Sequence, residues 1–183
     1  MMSSEPASPD NQPTAPRRRW RHTERLLWAG LFAIVIVMQW PMLKGLYYRT
    51  ADAVPPAASF EWGTSLEAGL AQAKRDRRPV FVDFQASWCP PCIAMQHDVW
   101  PDARVGRLLT ERYVAVTIDV DQDPEGASAR YDVRAIPTIL ILAPDGRVLE
   151  RATYMSRGAM VRFLEEHAGP VPSSQAAAAA QGE

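Results

Sequence analysis

Two cysteines, Cys89 and Cys92, are the only ones in the 183 residues, and two prolines separate them. No other feature restricts the fold as much. The preceding stretch, Pro79-Val-Phe-Val-Asp-Phe84, is a short apolar run rich in β-forming residues and reads as a buried strand. Proline is tolerated in the first turn of a helix, where its missing N–H has no partner anyway. A helix is therefore expected to start at the cysteines and run to about Trp100. Residues i and i+3 of a helix carry Cβ atoms roughly 5–6 Å apart, within reach of a disulfide after a small adjustment. Such a bridge closes a tiny loop and adds little stability, so reversible oxidation explains the pair better than a structural staple. A sulfur at the helix start faces unpaired N–H groups and the positive end of the helix dipole, which favour its thiolate. Cys92, one turn inside, is expected to be less exposed and placed to resolve a mixed disulfide on Cys89. Half a zinc site is the other reading. It needs two more ligands, and His22, His97 and His167 are scattered, so no metal is expected.

Periodicity extends this strand–helix unit in both directions. Thr64-Ser-Leu-Glu67 has the form of a capping box, and Leu66, Leu70 and Ala73 follow at helical spacing, which predicts a helix over 64–76. Further helices are expected over Ala103–Arg112 and Glu125–Tyr131, and one after Ser156 with Met160, Val161, Phe163 and Leu164 inside. Val114, Val116 and Ile118 alternate with more polar residues and predict a strand. Thr138–Leu142 is a strand, Pro144-Asp-Gly146 a turn, and Arg147–Thr153 its partner strand. The order α-β-α-α-β-α-β-β-α predicts a mixed α/β sheet, parallel across the crossover and antiparallel at the late hairpin, with helices on both faces.

The N-terminal part is organised differently. Residues 1–25 read as a disordered basic segment ending in Arg17, Arg18, Arg19, Arg21 and Arg25. Leu26–Leu43 then carries no charge over 18 residues. As a helix it would be about 27 Å long, close to the roughly 30 Å hydrocarbon core. Trp40, Tyr47 and Tyr48 suit the far interface, Lys44 suits snorkelling, and Pro41 falls in the last turn. The reading is a lipid-embedded transmembrane signal anchor over 26–48. A cleaved signal peptide is its rival, because Ala51-Asp-Ala53 spells an A-x-A site. The length of the run, and Lys44 and Arg49 ahead of that site, favour the anchor. The arginines place the N-terminus in the cytoplasm and the domain on the far side, which in a bacterium means the inner membrane and the periplasm. Residues 49–59 read as a linker, 60–168 as the domain, and 169–183, with five consecutive alanines, as a disordered tail. From Val54 to Pro170 there are 16 acidic and 13 basic residues, a net of −3, so no nucleic-acid partner is expected.

Two separated motifs carry a family resemblance. Val82-Asp-Phe-Gln-Ala-Ser-Trp-Cys-Pro-Pro-Cys92 resembles the active-site strand and helix start of the thioredoxin superfamily. Tyr131-Asp-Val-Arg-Ala-Ile-Pro-Thr138 resembles its second signature, whose proline is cis and packs against the cysteines. The resemblance spans about Phe60–His167. Ser65–Pro79 and Val99-Trp-Pro-Asp-Ala103 are similar to the C-terminal periplasmic domain of DsbD-type thiol:disulfide interchange proteins. A tethered cytochrome-maturation reductase is the nearby alternative.

The resemblance implies a thioredoxin-like fold in which Cys89 attacks and Cys92 resolves. Asp83 is then the buried acid behind the resolving cysteine. Trp88 shields one side of the sulfur, Pro90 and Pro91 line the substrate side, Pro137 is the cis-proline, and Ile136 presents backbone to a peptide. It implies no cofactor beyond a redox-active Cys89–Cys92 disulfide. The implied partners are protein thiols and disulfides and a membrane thiol electron donor. Ile136 before the proline resembles reducing members, so reduction is the expected direction. A disulfide-forming oxidant or isomerase, or a peptide-binding module without catalysis, is the alternative. The sequence departs from the family at Gln85, where an aromatic is frequent, and at Thr117 and Ile93, where lysines are frequent.

Overall fold

In the computed structural model, residues 17–51 and 53–168 are described. The expected disorder of 1–16 and 169–183, and Asp52 of the A-x-A site, lie outside the described residues. The chain divides into two compact units between Gln39 and Trp40.

The first unit is helix α1 (Arg17–Met38), which starts upstream of the expected boundary at Leu26. Leu26, Leu27, Trp28, Leu31 and Phe32 are exposed along it.

The second unit begins with helix α2 (Trp40–Thr50), so the expected span over 26–48 is not one helix. Among the described residues no single helix is long and apolar enough to cross a membrane; Glu24–Met38 and Trp40–Thr50 meet that measure only as a pair. Pro41 explains the interruption. It sits in the first turn of α2, where proline is tolerated, whereas inside a continuous helix it would remove a hydrogen bond and clash with the preceding turn.

The domain that follows has the predicted element order. Helix α3 (Leu66–Asp76) leads to strand β1 (Val80–Gln85) and helix α4 (Pro90–Asp98). Helix α5 (Ala103–Arg112), strand β2 (Val114–Asp119) and the short helix α6 (Ala127–Arg130) come next. Strands β3 (Thr138–Leu142) and β4 (Val148–Ala152) and helix α7 (Arg157–His167) complete it. The sheet order is β2-β1-β3-β4. β1 pairs parallel with β2 and antiparallel with β3, and β3 pairs antiparallel with β4. Gly63 adds a one-residue parallel bridge on Val116, which partly covers the edge of β2.

The central position of β1 follows from its composition, since a strand covered on both faces needs a near-continuous apolar run. Val80, Val82 and Phe84 face a core formed with Leu66, Leu70 and Ala73 of α3 and with Ala127 and Tyr131. Phe81 faces the opposite core, with Met95, Val99, Val105, Leu109, Met160 and Leu164. Each such buried side chain contributes about 1.5–3 kcal/mol. Tyr113 closes the second core by donating its hydroxyl to the Leu164 carbonyl at 2.7 Å.

Helix α2 packs on α4. Pro41, Lys44, Gly45 and Tyr48 are its only residues that are not exposed, and their i, i+3, i+4, i+7 spacing defines one face. Lys44 pairs with Asp98. Tyr48 donates to Asp98 at 3.2 Å and stacks on His97, ring centroids 3.9 Å apart. Lys44 and Tyr48, expected at a lipid interface, are thus engaged with the domain.

Candidate functional site

Strand β1 ends at Gln85, and α4 begins four residues after Ala86. Cys89 is the N-cap of α4, with extended backbone (φ −85°, ψ 106°), and its Sγ accepts from the Cys92 N–H at 3.3 Å. Pro90 and Pro91 occupy the first two helical positions. Neither has an N–H, so Cys92 supplies the first backbone donor of the helix. The sulfurs are joined, S–S 2.06 Å with Cα atoms 5.3 Å apart.

From its place at the helix start, Cys89 is expected to be the more exposed sulfur. In the disulfide both residues are buried, Cys89 2% and Cys92 3% exposed, because Ala86, Val120 and Ile136 pack around them. The asymmetry between the two sulfurs therefore lies in capping, not in exposure.

Ile136 reaches this cluster from the loop before β3. The Ile136–Pro137 bond is cis. Pro137 is buried, and its carbonyl accepts from the Thr153 hydroxyl of the segment after β4 at 2.9 Å. Trp88 lies on the surface, 54% exposed, and its Nε1 donates to Asp121 at 2.6 Å. Asp121 and Thr153 were not singled out in the sequence. The acidic turn Asp119–Asp123 reads as solvated surface, and nothing local to Thr153 signals a partner sixteen residues away.

Asp83 is buried at the middle of β1. Strand alternation puts it on the face of Phe81 and Gln85. That face is covered by α4, where Gln96 donates to Gln85 at 3.2 Å. Its cross-strand neighbours are Thr117 and Ile139. Burial alone pushes its carboxyl from the ordinary 3.8 to about 7. Thr117, where the family often has lysine, stands directly opposite and supplies no charge to oppose that shift.

The structure thus gathers Cys89 and Cys92 into one buried cluster, with the partly buried Ile136 packed against it. Pro90 lies against the backbone of Gly45, and Pro91 is half-buried. Among the described residues no cluster of three His, Cys, Asp or Glu side chains is placed to hold a metal.

This fold and this site define a class, the thioredoxin-like domain with a Cys-x-x-Cys disulfide at a helix start. Residues 61–144 match the family model described as thioredoxin-like. Thiol:disulfide interchange protein DsbD 1 of Pseudomonas aeruginosa is 33% identical over 101 residues, which cover 51% of this chain and 17% of that protein. Thioredoxin 1 of Chlorobaculum tepidum is 36% identical over 34% of this chain and 58% of its own length. The match thus spans less than two thirds of either relative. A solution structure of a thioredoxin from Thermus thermophilus superposes with a TM-score of 0.53 at 29% identity, covering 59% of this chain and 86% of that one. Residues 61–144 are thus thioredoxin-like, and the chain resembles the DsbD-type members over that region.

Proposed function

We propose that the chain is a membrane-tethered oxidoreductase that reduces disulfides of proteins outside the cytoplasm. The observation that carries the chemistry is the Cys89–Cys92 disulfide with Cys89 Sγ as the cap of α4. In the reduced form the Cys89 thiolate attacks one sulfur of a partner disulfide, and the other partner sulfur leaves as a thiolate that takes a proton. Cys92, deprotonated, attacks Cys89 in the mixed disulfide. The second partner sulfur leaves, the partner gains two electrons, and Cys89–Cys92 is oxidised. Asp83, near its midpoint at neutral pH, is suited to accept the Cys92 proton, directly or through water. A membrane thiol donor would then return the two electrons.

The reducing direction is supported by the prolines. An N-cap side chain accepts from the second or third helical N–H. Pro91 removes the second, and only Cys92 N–H reaches Cys89 Sγ. With fewer donors the Cys89 thiolate is less stabilised, the dithiol form is less favoured, and the couple is a better reductant. The test is the reduction potential of the full-length chain equilibrated against glutathione. A value below roughly −200 mV, on the side of thioredoxin near −270 mV, is expected; one near the −120 mV of DsbA reverses the direction.

The tether is supported by the uncharged stretch from Leu26 to Leu43, the arginines before it, and the exposed apolar side chains of α1. Alkaline phosphatase fused after His167 is expected to be active. An inactive fusion, with a cytoplasmic reporter active at the same point, excludes the topology.

A further inference from the structure

Thiol exchange needs a partner sulfur to come into line with Cys89, yet Cys89 is 2% exposed. The flank of the site beside Pro90 is covered by a helix from outside the sheet domain. Gly45 of α2 is buried against the main chain of Pro90. A Cβ at this position would overlap the carbonyl oxygen, carbonyl carbon and Cα of Pro90, all backbone atoms that cannot turn aside. Pro90 is bonded directly to Cys89, so the contact lies one residue from the capping sulfur. At the other end of α4 the same helix is held by the Lys44–Asp98 pair and by the Tyr48–His97 stack. The chain beyond α2 extends the cover: Ala53, Val54 and Pro55 share a groove with Ile93, Gln96 and His97 of α4. Trp88, next to Cys89 in the chain, is exposed and has no part in the contact with α2, and Ile136 packs against the disulfide from the loop before β3.

We infer that α2 is a selectivity wall of the redox site, closing the Pro90 flank of Cys89 to folded protein partners and steering their approach to the Trp88–Ile136 side. The inference rests on the thiol-exchange reading above. A small dithiol needs only a narrow path to the sulfur. A folded partner must lay a surface around it, and α2 occupies part of the area that such a surface would use. Glycine at 45 allows the wall to stand this close, and Lys44, Tyr48, His97 and Asp98 hold it there.

The test uses the full-length chain with its disulfide formed and two reductants, dithiothreitol and a reduced thioredoxin. Gly45→Leu wedges α2 off Pro90. Lys44→Met combined with Asp98→Asn releases the same helix without a wedge and without touching the cysteines. Stopped-flow fluorescence gives the two rate constants, and hydrogen exchange of the α2 amides reports release. In both variants the rate with thioredoxin is expected to rise about tenfold and that with dithiothreitol less than about threefold, within the decades over which association rates vary among variants of one interface. Unchanged protection of the α5 and α7 amides shows that the fold is kept. The inference is overturned if α2 opens and the ratio of the two rates stays as in the parent. It is also overturned if α2 stays protected in both variants, because Gly45 and Lys44–Asp98 then do not hold it. A parent chain that reacts with neither reductant removes the exchange reading itself, a distinct outcome.

Discussion

At the scale of single residues, chemistry at the site is set by groups that are missing. Pro91 removes the second helical N–H from the reach of Cys89 Sγ, leaving the Cys92 N–H as its donor. Pro91→Ala restores one donor to the thiolate. A hydrogen bond to a charged group contributes about 1.5–3 kcal/mol. The expected result is a Cys89 pKa lowered by about one unit and a potential raised by about 30 mV, read by thiol titration at 240 nm and by glutathione equilibration. No change in either excludes the donor argument for direction. Asp83 shows a missing charge instead. Its carboxyl keeps its proton to about pH 7 in the folded chain but only to about 3.8 when unfolded. Between these values the folded state binds the extra proton, so stability falls as pH rises through the window and levels off above it. The full span is worth roughly 4 kcal/mol. Urea unfolding at pH 5 and pH 8 crosses about two units of that window and is expected to show roughly 3 kcal/mol of the loss, and Asp83→Asn is expected to flatten it. That Asp83 is buried was implied by the family resemblance; the apolar run around it predicts only a buried strand. That its shift is unopposed depends on Thr117, which the resemblance sets near the acid and the β1–β2 register places directly opposite it.

At the scale of elements, three periodic segments have the bounds their patterns predict. α5, β2 and β3 coincide with the expected Ala103–Arg112, Val114–Asp119 and Thr138–Leu142, because their patterns persist to their ends. Caps were harder. Thr64 looked like the start of a capping box, but the N-cap is Ser65, whose Oγ accepts from Ala68 N–H at 3.1 Å. Ser65 also donates to Glu125, which accepts the Glu67 N–H at 3.0 Å. A carboxylate from the loop before α6 thus takes a first-turn N–H of α3, a contact no local pattern reveals. Ser65→Ala is expected to lower stability by about 1 kcal/mol, while Thr64→Ala leaves it within about 0.5 kcal/mol; chemical denaturation of the two variants distinguishes them. Equal losses would return the cap to Thr64. α6 is likewise shorter than expected, starting at Ala127, where Asp123 accepts from the N–H groups of Ala127 and Ser128.

At the scale of the whole molecule, the sheet domain does not start where the linker was expected to end. α2 belongs with it, through the Lys44–Asp98 pair and the Tyr48–His97 stack. A chain shortened to begin at Trp40 is expected to unfold like the same chain carrying α1, whereas one beginning at Pro55 loses both contacts. A half-exposed ion pair contributes about 0–1 kcal/mol and an aromatic stack about 0.5–1.5 kcal/mol, so a loss of about 1–2 kcal/mol is expected in guanidinium unfolding. Equal stability of the two shortened chains would show that α2 adds nothing to the domain. The sequence by itself determined the element order, the mixed sheet, and the cysteine pair at a helix start, because periodicity, proline chemistry and motif spacing act over a few residues. Only the tertiary structure decided that Ile136 and Val120 bury the disulfide, that Asp121 holds Trp88, that Thr117 faces Asp83, and that Gly45 rests on Pro90. The reason is common to all four. Each joins segments more than 25 residues apart whose meeting depends on how strands register and helices pack, and no window of the chain contains both partners.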